Sequence, residues 1–237
     1  MKSLILPTVT STLLSKDGLG GWREKVKEID QLGLKQVAVF VTTIGFEERQ
    51  ELFHALENTK LEEIPFVHIR SDMRPEELEY LIKRWQTKAF NFHLLSEFGM
   101  EHDLTKYYQQ IYIENTFAPI TEEDLKGFAG LCLDFSHVED ARRFFPDTFK
   151  QWQEIYSRFP IGCGHISAVR EEPHFDEREQ SFRCSYHWFN NLTDFDYLKN
   201  VSLSQVPPFI ALELENPLVE QLKVKEYVEK ILVAIKP

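Results

Sequence analysis

The strongest constraint on this chain is a rhythm. Short apolar runs rich in β-branched and aromatic residues alternate with longer amphipathic, charged stretches. Eight such runs can be read: Ser3–Thr8, Gln36–Val41, Phe66–Ser71, Ala89–Leu94, Gln110–Asn115, Gly130–Phe135, Ile161–Ala168 and Pro208–Glu215. This alternation is the mark of parallel strands covered by crossover helices. Between the runs, Trp22–Leu32 and Phe46–Asn58 carry helical periodicity, and Pro75–Gln86 opens on a proline, which suits the first helical position. Thr121-Glu122-Glu123-Asp124 reads as a capping box for a short helix. Phe149–Phe159 is amphipathic, Leu192–Asn200 is a weaker helical pattern, and Asn216-Pro217 opens a last helix running to about Ile235.

Eight strands in one unbroken βα alternation fit either a closed barrel or a large doubly wound sheet. The 237 residues suit one domain spanning 1–237, and no linker or low-complexity segment divides them. No G-x-G-x-x-G follows the first run, so a dinucleotide-binding sheet lacks its mark. In a barrel, functional groups gather at the C-terminal ends of the strands. Here the ionisable residues within the apolar runs fall near those ends, run after run. The expected fold is therefore α/β, a single (β/α)₈ barrel.

Composition narrows the function. The formal net charge is −11, and no basic block is longer than Arg142-Arg143. Nucleic-acid affinity rests on lysine and arginine neutralising phosphates, so such a partner starts at a disadvantage. No stretch approaches the ~20 apolar residues of a membrane helix. The apolar run in Met1–Pro7 is too short for a signal sequence and reads as the first buried strand. The three cysteines, Cys132, Cys163 and Cys184, include no C-x-x-C, which argues against a disulfide framework or a structural zinc site and for a cytoplasmic setting. Cys132, beneath Asp134, and Cys163, beneath His165, are most simply buried core thiols.

Of eight histidines, His54, His102 and His174 read as surface residues. The other five fall at strand ends or in the loop beyond: His68 closes Phe66-Val67-His68, His93 closes Phe90-Asn91-Phe92-His93, His137 follows Leu133-Asp134-Phe135-Ser136, His165 lies in Gly164-His165-Ile166-Ser167, and His187 sits further on. A lone histidine at a strand end is an ordinary core residue, but five on one face point to metal, for which imidazole is a common ligand. Carboxylates join them: Glu114, Asp134, Glu213 and Glu215 each stand within or at the end of an apolar run, where an unpaired charge is expensive to bury. Strand alternation puts Glu213 and Glu215 on one face. Glu215, nearer the strand end, is the expected ligand; Glu213 is either a deeper supporting group or a buried salt-bridge partner. Tyr112, Tyr186 and Trp188 flank the expected site as stacking surfaces or core residues.

At Ile113-Glu114-Asn115-Thr116, Leu131-Cys132-Leu133-Asp134-Phe135-Ser136-His137, Gly164-His165-Ile166-Ser167 and Leu214-Glu215-Asn216-Pro217 the chain resembles the xylose isomerase-like TIM barrels. That superfamily holds sugar and sugar-phosphate isomerases and epimerases together with endonuclease IV-type apurinic endonucleases. Resemblance to the epimerase branch implies one divalent ion, manganese or zinc, with magnesium and cobalt as further options, held by Glu114, Asp134, His165 and Glu215. Glu114 and Glu215 then act as acid and base, while His137 and Arg170 contact substrate. Resemblance to the endonuclease branch implies a fuller zinc cluster that adds His68, His93, His137 and His187. That branch carries Asp-x-His where this chain has Ser185-Tyr186-His187. The first expectation is thus a metal-dependent isomerase or epimerase of carbohydrate metabolism, moving a proton next to a carbonyl of a sugar or sugar phosphate. The alternatives are a zinc phosphodiesterase on abasic DNA, a catalytically silent metal-binding barrel, and another small-molecule metal hydrolase on the same scaffold. Resemblance also implies a homo-oligomer, since dimers and tetramers are common among such barrels.

Overall fold

The computed structural model describes residues 3–10, 21–177 and 180–235. The chain runs β1 (Leu4–Leu6), β2 (Thr8–Thr10), α1 (Trp22–Leu32), β3 (Ala38–Phe40), α2 (Phe46–Glu57), β4 (Phe66–His68), α3 (Pro75–Trp85), β5 (Ala89–Phe92), β6 (Ile111–Glu114), β7 (Gly130–Asp134), α4 (Phe135–Phe144), α5 (Pro146–Tyr156), β8 (Ile161–Ile166), β9 (Ala168–Asp176), β10 (Ser181–Tyr186), β11 (Phe209–Leu212) and α6 (Leu218–Ala234). Short 3-10 helices cover Thr105–Gln110, Leu192–Asn200 and Leu203–Gln205.

Nine of the strands form one parallel sheet in the order β1-β11-β8-β7-β6-β5-β4-β3-β2. The two ends of this list are consecutive pieces of one extended run broken at Pro7. Leu4 pairs with Phe209, while Thr8 pairs with Ala38. Proline has no N–H to give a ladder, yet its carbonyl still accepts from the Ala38 N–H at 2.9 Å. The interrupted run therefore serves as the first stave and brings the sheet round into a (β/α)₈ barrel. All eight expected strands are present, in their expected places.

Packing follows from alternation. Leu6, Ala38, Phe40, Phe66, Ala89, Cys132, Cys163 and Ala211 fill the barrel interior. Outward residues such as Val39, Val67 and Phe90 meet the apolar faces of α1, α2 and α3. One bulge matters for the site. Leu131 pairs with Ile161 but Cys132 pairs with Cys163, so Gly162 is an extra residue. A Cβ at Gly162 would collide with the Tyr112 ring. Glycine there lets the ring plug the barrel while Cys163 and His165 stay in register with Cys132 and Asp134.

Three segments differ from the sequence reading. Thr121 and Asp124 do exchange hydrogen bonds, Thr121 N to Asp124 Oδ2 at 2.8 Å and Asp124 N to Thr121 Oγ1 at 3.4 Å. They close only a turn, because Gly127 at φ 87° ends the segment before a helix can propagate. Phe135 extends the apolar run of β7 in sequence but is the first residue of α4. The stretch around His174, a residue expected only to lie at the surface, is an antiparallel hairpin of β9 and β10. His174 stacks on Tyr186 there, with ring centroids 4.3 Å apart. Among the described residues, no helix is long and apolar enough to cross a membrane.

Candidate metal centre

The C-terminal ends of β4 to β8 deliver a ring of ionisable side chains. Glu114, the last residue of β6, is its hub. Its Oε2 accepts from Asn91 Nδ2 at 2.6 Å and lies 3.1 Å from His68 Nε2, 3.8 Å from His93 Nε2 and 3.7 Å from His165 Nδ1. Asn91 and His68 are register partners on neighbouring strands, so sheet pairing alone sets them side by side. His68 Nδ1 lies 3.0 Å from the Ile69 carbonyl. Nδ1 donates there, and Nε2 faces Glu114 and His93 Nε2, the latter 3.2 Å away.

Asp134 has two jobs. It ends β7 and caps α4, its Oδ1 accepting from the backbone N–H of Ser136 at 2.8 Å and of His137 at 2.9 Å, and from Ser136 Oγ at 2.6 Å. That engagement points Oδ2 into the barrel mouth, buried and without a hydrogen-bond partner. His137 rides the first turn of α4, its Nδ1 3.0 Å from the Asn115 carbonyl and 3.6 Å from Asp134 Oδ2. His165, in register with Asp134, is wholly buried, and its Nδ1 also lacks a hydrogen-bond partner.

The last strand departs from the sequence expectation. Glu213, not Glu215, faces the cluster: its Oε2 is 3.6 Å from His165 Nδ1 and its Oε1 3.9 Å from His187 Nε2. Alternation breaks just before Glu215, because β11 ends at Leu212 and the Leu214 N–H turns back to the Leu212 carbonyl at 2.9 Å. Glu215 is directed to a different partner set. Thr10 Oγ1 donates to it at 2.8 Å, and Lys25 Nζ lies 3.7 Å away. Lys25 is 3 % exposed and also donates to the Leu214 carbonyl at 2.8 Å. Burial lowers its pKa to about 8 despite Glu215. Nothing in the sequence marks this lysine, which reads as one more charge on a helix.

Among the described residues, four groups of side chains bring ligand atoms within 4.8 Å of one another: His68, His93 and Glu114; Glu114, Cys132 and His165; Glu114, Asp134 and His137; and Asp134, His165 and Glu213. Buried polar atoms without partners are costly, and a native fold retains them where something else satisfies them. The free Oδ2 of Asp134 and Nδ1 of His165 meet that description, and the mixed imidazole and carboxylate donors suit zinc and its neighbours.

The electrostatics agree. Burial pushes His93 and His165 down to about 4 and lowers His187 as well, so these rings are neutral donors at neutral pH. Burial, reinforced by the charges of Asp134, Glu114 and Glu215, pushes Glu213 well above the usual carboxylate range. Burial also works to raise Glu114, but its three histidine neighbours outweigh that and hold it well below.

The remaining expected residues divide. Arg170 lies over the Tyr186 ring at 3.9 Å and donates to the Trp188 carbonyl at 2.5 Å, contacts that lie outside the ligand ring. Arg183 instead lies over Phe117 at 4.4 Å, and Phe117 packs on His137 at 4.6 Å. Tyr112 plugs the barrel beneath Glu114, and Trp188 is largely exposed. His54 is exposed on α2 and His102 in a loop. Ser185 adjoins Asp140, a fully buried carboxylate on α4 that also accepts from the Cys184 N–H at 2.6 Å. Sequence reasoning missed Asp140, since an acid on an unrecognised helix carries no signal. No model of a known protein family matches the chain, and no curated protein matches it.

Proposed function

We propose that this barrel is a divalent-metal-dependent hydrolase of phosphate esters whose centre takes more than one ion. One observation carries the reading: Glu114 belongs to three of the four overlapping groups of ligand atoms, and its Oε2 lies within 3.1–3.8 Å of His68, His93 and His165. A carboxylate so placed suits a bridging ligand. His68, His93 and Glu114 would hold one ion, and Asp134, His165 and Glu213 a second, with Glu114, Asp134 and His137 shared at the boundary. When bound, such ions polarise a phosphoryl oxygen and acidify water.

The chain's own residues have definite tasks around that chemistry. Asn91 orients Glu114 through Oε2. The first turn of α4 locks Asp134 through Oδ1 so that Oδ2 faces inward. Burial favours the protonated form of Glu213, and loading an ion there would favour release of that proton. Arg183 pairs with Asp176 at 3.3 Å, and its charge acts on both Glu213 and His187; it is the arginine we assign to the phosphoryl anion.

The isomerase reading uses the same Glu114, Asp134, His165 and Glu213 with one ion, and the net charge of −11 suits its small polar substrate. Against it stand Glu114, already engaged by Asn91 and His68 rather than poised as a base, and Arg170, engaged at Tyr186 and Trp188. The test is a panel of phosphate mono- and diesters, with an abasic oligonucleotide among them, given to zinc-, manganese- or cobalt-loaded protein. Metal-dependent release of phosphate or alcohol, falling by about 100-fold or more in Glu114→Gln, is expected. Inert esters combined with solvent-deuterium uptake into a ketose or ketose phosphate would replace this reading with the isomerase.

A further inference from the structure

His165 presents Nδ1 to Glu114 and Glu213, where it has no hydrogen-bond partner. Its other nitrogen, Nε2, lies 3.4 Å from the Sγ of Cys132, and both residues are 0 % exposed. The arrangement comes from the strands: Asp134 pairs with His165 at the level of the centre, and Cys132 pairs with Cys163 one layer below. The imidazole of His165 thus stands between a ring of carboxylates and a thiol.

A neutral imidazole has one N–H and one lone pair, and the neighbour of one nitrogen decides what the other can do. For Nδ1 to offer its lone pair to an ion, the proton must sit on Nε2 and find an acceptor in a place without water. Cys132 Sγ is the atom at that position. Proteins commonly set a carboxylate or backbone carbonyl behind a ligating histidine. A thiol accepts more weakly, which leaves His165 a weaker donor and a bound ion a stronger Lewis acid.

We propose that Cys132 is a positioning residue for the metal centre: it accepts the Nε2–H of His165 and thereby reserves Nδ1 for the ion. The proposal rests on the metal centre and not on the reaction it serves. Cys132 lies close enough to Glu114 and His165 to be a ligand itself, and the experiment separates the two roles.

Zinc affinity of the full chain is measured by competition with a chromophoric chelator for wild type, Cys132→Val, Cys132→Ser and Cys163→Val. Valine keeps the packing and removes the acceptor, serine keeps an acceptor, and Cys163→Val removes the sulfur that hydrogen-bonds Cys132 while leaving Cys132 Sγ beside the imidazole. The expected result is a loss of about 10–100-fold in Cys132→Val, with the other two within about threefold of wild type. A long-range ¹⁵N–¹H correlation spectrum of the zinc-loaded protein should show the His165 proton on Nε2. Wild-type affinity in Cys132→Val, or an equal loss in Cys163→Val, overturns the positioning role and leaves the centre standing. A thiolate-to-cobalt charge-transfer band in the cobalt-loaded protein that disappears in Cys132→Ser overturns it in favour of direct ligation. Wild-type protein that takes up no zinc overturns the centre and the positioning role together.

Discussion

Two buried polar clusters in this molecule are built on opposite plans. Under α2 and α3, the fully buried Arg49 donates from Nε to Glu77 Oε1 at 2.8 Å, from Nη2 to Glu77 Oε2 at 3.0 Å, and from Nη1 to Asp72 Oδ1 at 2.9 Å and the Ile44 carbonyl at 3.0 Å. Glu77 Oε2 also accepts the Arg74 N–H at 2.9 Å. Each charge meets an opposite charge in bidentate or near-linear contact. In the barrel mouth, Glu114, Asp134 and Glu213 are gathered among histidines, of which His93 and His165 are neutral at neutral pH, and atoms such as Asp134 Oδ2 are left over. The first cluster is complete as it stands and holds two helices in place. The second has buried ligand atoms left over, in groups that could hold a cation. A count of buried charges would not separate them; the hydrogen-bond inventory does.

The contrast can be broken in several ways. The largest effect should come from the closed cluster: Arg49→Met leaves Glu77 buried without its cation and should cost about 3–5 kcal/mol in urea unfolding of the metal-free protein. A loss below 1 kcal/mol would mean that the cluster is not the brace described.

Acid should act on the open cluster. His165 is held at about 4 against an ordinary value of 6.5, so as pH falls through that interval the unfolded chain takes up a proton before the folded one. Stability is then lost as pH drops from 6.5 to 4, by about 3 kcal/mol from this residue alone. His93, similarly lowered but 29 % exposed in its side chain, adds less. Unfolding midpoints that stay flat across this interval would contradict neutral, buried imidazoles.

The smallest effect is the sharpest. Glu213→Gln replaces a carboxyl whose surroundings favour its protonated form, and should change metal-free stability by no more than about 1 kcal/mol while weakening zinc binding. Glu77→Gln, with no such excuse, should cost about 2–3 kcal/mol and leave zinc binding alone. Equal costs at the two positions would erase the distinction between the clusters.

Much of the fold was legible because strand alternation and helix caps are local. Phe66-Val67-His68 and Leu131-Cys132-Leu133-Asp134 announce both their strand character and the polar residue at the mouth. Failures came where the chain leaves its local pattern. The turn at Leu212–Leu214 exchanges the roles of Glu213 and Glu215, and period-two reasoning has no means to see it. Asp134 was legible as a strand end but not as the N-cap of α4, because Phe135 prolongs the apolar run. Lys25, Asn91 and Asp140 act through partners distant in sequence, at Glu215, Glu114 and Cys184. Long-range pairing of this sort is set by barrel closure, which no window of sequence contains.

Elemental analysis of the purified chain after reconstitution with zinc and exhaustive dialysis tests the central claim most directly. The proposed shared-carboxylate centre predicts at least two ions per chain, falling in Glu114→Gln. A single ion would contradict the shared-carboxylate centre and favour the proton-transfer reading. No retained ion, in wild type as in Glu114→Gln, would contradict a metal centre altogether.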